Sequence, residues 1–129
     1  MARTVIQPPG RPDPRPRYSH AWKVGNTVYV AGQLATDTSG KLVGANDMRA
    51  QTRQAFENLA AVLEAAGASL RDVVKTTVFI TDMRHRDAYS EVRQQFYTSD
   101  PPASTLVQVV ALAEPGALIE IEAVAVVES

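Results

Sequence analysis

LIEIEAVAVV, residues 118–127, alternates with a period of two and reads as a strand. Ile119, Ile121, Ala123 and Ala125 fall on one face. Leu118, Glu120, Glu122, Val124 and Val126 fall on the other. The second face is mostly apolar, so two carboxylates interrupt a surface that is otherwise suited to burial. A buried carboxylate is expensive unless it is paired or hydrogen-bonded. Two readings follow. Either this face meets solvent near its start and both glutamates are hydrated, or one glutamate sits in a pocket at a subunit interface. In the second case its pKa is raised, and it acts as acid or base or holds a water.

Upstream, PPASTLVQVVAL (residues 101–112) is a turn followed by an apolar strand. Pro101 and Pro102 cannot continue a helix. The last two strands are expected at 104–112 and 117–127, joined as a hairpin by a turn around Glu114-Pro115-Gly116. Ser104, Leu106 and Gln108 share one face of the first of these. The hydroxyls of Ser104 and Thr105 either rim a ligand site or cap the local turn.

Farther upstream the periods change. Met48, Ala55, Phe56, Leu59, Val62, Leu63 and Ala66 recur at helical spacing, predicting a helix over about 47–66 with Asn46 or Asp47 as cap and Gly67 as terminator. This stripe is a core face. Ser69 to Asp72 reads as a capped turn, and VVKTTVFIT is β-branched and strand-like. Asp82 or Asp87 caps a second helix reaching about Tyr97, with Tyr89, Val92 and Phe96 inward. AWKV and TVYVAG flank Gly25-Asn26 as a hairpin. There Val28 and Val30 oppose Tyr29 and Ala31, and Gly32 marks a bulge or a close approach by a ligand. Residues 3–7 predict a short edge strand. PPGRPDPRPR (residues 8–17) is an extended connector whose arginines, Arg11, Arg15 and Arg17, either face solvent or fringe an anion site. Two helices can cover one face of a single sheet, so the class is α+β in one domain, residues 1–129.

The 129 residues carry a formal net charge of −1, with 45% hydrophobic and 21% charged residues. That balance fits a soluble globular chain and argues against wrapping nucleic acid. With no cysteine, disulfides, thiolate metal sites and a cysteine nucleophile are excluded. Neither a signal peptide nor a membrane-spanning run is apparent, and a cytoplasmic location without membrane partners is expected. His20 and His85, the two histidines, lack metal-ligand spacing and a nucleophile context. His20, beside Tyr18 and Ser19, is a candidate binding residue or an interface histidine. AGQLATDTSGKLVG lacks the lysine and spacing of a phosphate-binding loop.

In combination, several of these stretches resemble the Rid family (RidA/YjgF-type proteins, formerly L-PSP endoribonucleases). They are RYSHAW, VGNTVYVAGQLATD, NLAAVLEAAGASLRDVVKTTVFITDM, PPAS and IEIEAVAV, spanning about residues 4 to 127. The resemblance implies a chorismate-mutase-like fold and a homotrimer with a central barrel and clefts between subunits. It implies hydrolysis of reactive enamines and imines without metal or cofactor. Position by position it nominates Tyr18, Ala31, Gly32, Gln33, Ser90, Ser104, Thr105 and Leu106 for ligand contact, and Glu120 to place or activate water. This chain also departs from the family. Ser104 stands where active deaminases carry a carboxylate-binding arginine, Leu106 where a cysteine is usual, Ser90 where an asparagine is, and Ala31 where a serine is. Arg17, beside Tyr18, is the first candidate to replace the missing cation, and Arg93 the second. The expected activity is hydrolysis of a small imine-like metabolite other than a standard 2-imino acid. A non-catalytic metabolite-binding trimer is the alternative, and a ribonuclease or translation inhibitor ranks last.

Overall fold

The computed structural model describes residues 2–128. Six strands form one mixed sheet: β1 (Arg3–Ile6), β2 (Ala21–Val24), β3 (Thr27–Leu34), β4 (Val73–Ile80), β5 (Ala103–Gln108) and β6 (Ile119–Val126). The lateral order is β1-β2-β3-β6-β4-β5. Two helices, α1 (Met48–Ala65) and α2 (Arg86–Phe96), pack against the sheet and each other.

The helices form where the periodicity places them. Asp47 caps α1 by accepting from the Ala50 backbone N–H at 3.0 Å, and Gly67 takes a φ of 78° just beyond the end. All seven residues of the predicted α1 stripe are buried. Asp82 caps a 3₁₀ turn at Met83–His85 that leads directly into α2.

The expected final hairpin does not form. β4 lies between β5 and β6, antiparallel to β6 and parallel to β5. Parallel neighbours need a crossover, and α2 provides it. The segment from 109 to 118 is long enough to step across β4, and the Glu114-Pro115-Gly116 turn only shapes it, with Ala117 N–H donating to the Glu114 carbonyl at 3.0 Å. β3 also runs beyond Gly32, to Leu34, through a bulge.

One face of the sheet, carrying Val28, Val30, Val78, Ile80, Ile119, Ile121, Ala123 and Ala125, is buried under the helices. The opposite face carries Trp22, Tyr29, Val124 and Val126. Tyr29 is 52% exposed there and Val126 43%.

Candidate functional site

The bulge in β3 builds the site. Pairing with β6 steps from Val30–Ala123 to Gln33–Ile121, so Ala31 and Gly32 together face a single residue of β6. The Ala31 N–H donates to the His20 carbonyl at 2.9 Å, and Gln33 turns into the core side, 5% exposed. Gly32 matters because it has no side chain. A β-carbon there would lie 2.5 Å from Cδ and 2.7 Å from Cγ of Glu120, and closer still to Oε1. Glu120 therefore lies across the Gly32 backbone. It sits on the sheet face away from the helices, next to Leu34 of β3 and Phe79 of β4.

Glu120 is half-buried, and burial is the main cause that raises its pKa above the ordinary carboxylate value; the charge of Glu122 adds to the rise. The sequence left open whether this glutamate is hydrated or pocketed, and within the single chain it is half-buried.

Above Gly32 an open cleft of about 340 Å³ runs between the end of β3 and the connector. Tyr18, Gly32 and Gln33 line it with Arg11, Arg17, His20 and Asn58. His20 is fully engaged. Its Nε2 lies 3.0 Å from the Pro12 carbonyl, which can only accept, so Nε2 carries the hydrogen. Its Nδ1 then accepts from the Gln33 amide at 3.3 Å. His20 joins the connector to the β3 bulge instead of acting as a nucleophile's base. Arg17 stacks by Tyr18, 6.0 Å from the ring centroid, and among the described residues it has no acidic partner. Arg15, by contrast, pairs with Asp13 and holds that carboxyl down at about 2.

The other nominated residues lie elsewhere in the chain, on β5 and α2. Ser104 pairs with Thr76, which pairs with Ala123, so Ser104 lies on the helix-side face, opposite to Glu120. Its hydroxyl accepts from Thr76 Oγ1 at 3.0 Å. Beside it, Tyr89 on α2 has its pKa raised by burial, an effect that Arg93 and Ser104 partly counter. Arg93 lies 5.9 Å from the Tyr89 ring centroid, and Ser90 follows Tyr89 on α2, half-buried. Leu106, beside Val78, packs against the core. Thr105 lies on the face of Glu120 and accepts from Lys75 Nζ at 3.1 Å.

Arg11 was among the connector arginines that sequence placed beside a possible anion site, whereas the lining residue Asn58 was missed. Asn58 is 2% exposed within an apolar helix stripe, and a polar side chain interrupting that stripe was the available signal.

An α+β layer with a polar cleft at a strand bulge, and a half-buried carboxylate against the bulge glycine, belongs to the class of small-molecule clefts. The comparisons narrow that class. The family model described as endoribonuclease L-PSP matches residues 9–127. A RutC family protein from Pyrococcus abyssi is 41% identical over 125 residues, covering 97% of this chain and 98% of its own length. A 2-iminobutanoate/2-iminopropanoate deaminase from Dermatophagoides farinae is 38% identical, covering 96% of both chains. The crystal structure of RidA from a Psychrobacter species superposes with a TM-score of 0.88 at 41% identity, covering 96% of this chain and 99% of its own. The chain belongs to the Rid family.

Proposed function

We propose that this protein hydrolyses a small imine or enamine in the cleft beside Gly32. Glu120 would take a proton from water as the oxygen adds to the imine carbon. It would then return a proton to nitrogen as the C–N bond breaks. One water is consumed, a carbonyl and ammonia are released, and no electron leaves or enters. The observation that carries the reading is Glu120 itself, a half-buried carboxyl with a raised pKa lying across the bare backbone of Gly32, which lines the cleft. The deaminase from Dermatophagoides farinae supports the reaction class.

The substrate we propose is less anionic than a 2-imino acid, because Ser104 offers a hydroxyl where the family resemblance expects a guanidinium. A hydroxyl gives a carboxylate one hydrogen bond and no countercharge, whereas a guanidinium gives a bidentate pair with a full positive charge. Arg17 stands in the same cleft as Tyr18 and Gly32, and Arg93 stands over Tyr89, whose hydroxyl meets Ser104, so each is a candidate cation for any charge the substrate does carry. The same reading includes a homotrimer, in which the Ser104 group and the Glu120 group meet across a subunit boundary. It requires neither metal nor cofactor.

The test is a coupled assay in which a pyridoxal-phosphate enzyme generates 2-iminopropanoate or a neutral imine, and semicarbazide trapping is followed. Faster loss of the neutral imine supports the reading, and Ser104→Arg should shift preference toward 2-iminopropanoate. If neither imine is lost faster, while ligand binding survives Glu120→Gln, the cleft is a metabolite-binding site without turnover.

A further inference from the structure

One whole side of the cleft, including Arg17 and Tyr18, comes from the connector between β1 and β2. No strand pairing holds residues 8–17 in place, so their position depends on a few specific contacts. Most of these are local. Gln7 Nε2 donates to the Arg11 carbonyl at 3.0 Å, Arg17 N–H to the Pro14 carbonyl at 3.0 Å, and Arg15 pairs with Asp13.

Arg11 differs. Its Nη1 donates to Oδ1 of Asn58 on α1 at 2.6 Å, across 47 positions of sequence. Among the described residues it is the one connector side chain that hydrogen-bonds to the helix layer. Asn58 in turn donates through Nδ2 to the Leu34 and Thr36 carbonyls, both at 2.8 Å, where the chain leaves β3. Its Oδ1 also accepts from Gln54 Nε2 at 2.9 Å. All of its donors and both acceptor positions are used.

That saturation separates two roles. Without Arg11, Asn58 would keep Gln54 on Oδ1 and both strand-end carbonyls, so the helix and sheet need no guanidinium. The connector, by contrast, would lose its hydrogen bond to the helix layer. We infer that Arg11 and Asn58 form a latch between connector and α1, and that Arg11 is a positioning residue that holds Tyr18 and Arg17 as the cleft wall. The functional consequence rests on the hydrolase reading above, but the latch itself does not.

The connector carries its own reporter. Trypsin does not cut before proline, so Arg11–Pro12 and Arg15–Pro16 are resistant and Arg17–Tyr18 is the cleavable bond. In Arg11→Ala, cleavage at Arg17–Tyr18 should run about tenfold faster, the size expected for losing one charge-assisted hydrogen bond. KM for the neutral imine should rise by a similar factor, with kcat within about twofold and an unchanged melting temperature. Arg11→Lys should recover part of both. Gln54→Ala removes the other donor to Oδ1 without touching the connector, and it should leave cleavage and KM at wild-type values. Cleavage of Arg11→Ala at the wild-type rate would overturn the latch. So would equal acceleration in Gln54→Ala, which makes Asn58 a purely structural amide. A wild-type protein without turnover would sink the hydrolase reading alone, since the proteolysis comparison still decides the latch.

Discussion

The side chain of Glu120 occupies the space that a β-carbon at residue 32 would need. A carboxyl is thereby laid against bare backbone and partly removed from water, which raises its pKa. The sign of the stability effect follows from that direction. A carboxyl with a raised folded pKa favours folding in its protonated form. The stability it supports is full below the unfolded pKa and is lost as pH rises through the folded value. Glu120→Gln cannot ionise, so its melting temperature should exceed that of the wild type at pH 7. The difference should close as pH falls to ordinary carboxylate values. Its kcat should drop about a hundredfold or more if the carboxylate moves the proton. The acid limb of the wild-type profile should rise with pH, with its midpoint above the usual glutamate value. A variant that is both more stable and fully active would remove Glu120 from the chemistry.

Gly32→Ala tests the same contact from the other side. Gly32 does not occupy the left-handed region, so alanine is acceptable to the backbone and the conflict is with Glu120 alone. The glutamate is a flexible, half-buried side chain, so it should swing away with little effect on melting temperature. Turnover should fall toward that of Glu120→Gln. The double variant should be no worse than either single one, because both act on one interaction. Additive losses in kcat/KM would mean that Gly32 serves the ligand directly.

Periodicity made the layers legible in the sequence, and register did not. The α1 stripe and the alternation of β6 each follow from one segment meeting one hydrophobic surface, and both formed where the spacing put them. The order of strands across the sheet depends on which segments pair at long range. Chain order suggested a terminal hairpin, but β4 inserts between its two arms. The same limit applies to the site. Gly32 and Glu120 were nominated by resemblance and do meet. That Ser104 turns to the opposite face of the sheet is set by its pairing with Thr76, which no local pattern reveals. Arg11 and Asn58 are too far apart in sequence to be matched without coordinates.

Gln51 illustrates a buried polar group with a purely structural task. It is fully buried on α1, its Oε1 accepts from the Leu118 N–H at 2.8 Å, and its Nε2 donates to the Gly116 and Gly44 carbonyls at 3.1 and 3.2 Å. It fixes the segment that delivers β6, two residues before Glu120. Gln51→Leu keeps the volume and strands those backbone groups, which should cost about 2–3 kcal/mol in urea unfolding. A loss below about 0.5 kcal/mol would mean that water reaches them readily.

The sheet face without helices makes the trimer testable. Tyr29, Trp22 and Val126 are all exposed there, and Val124 lies between Tyr29 of β3 and Lys75 of β4. A cluster of exposed large apolar side chains on one sheet face is the kind of patch that marks a protein–protein contact, and we expect a second copy of this chain to cover it. Light scattering should give three times the 14.0 kDa chain mass. Val124→Asp places a charge at the centre of that face and should release monomers, since an unpaired buried carboxylate is costly. The protein's single tryptophan, Trp22, pairs with Tyr29 on this face, so its emission should shift to the red as the face becomes wet. Turnover should be lost together with the trimer if the Ser104 group and the Glu120 group act on one ligand. A wild-type chain that stays monomeric at micromolar concentration and still hydrolyses imine would show that Glu120 and the Gly32 cleft of one chain suffice.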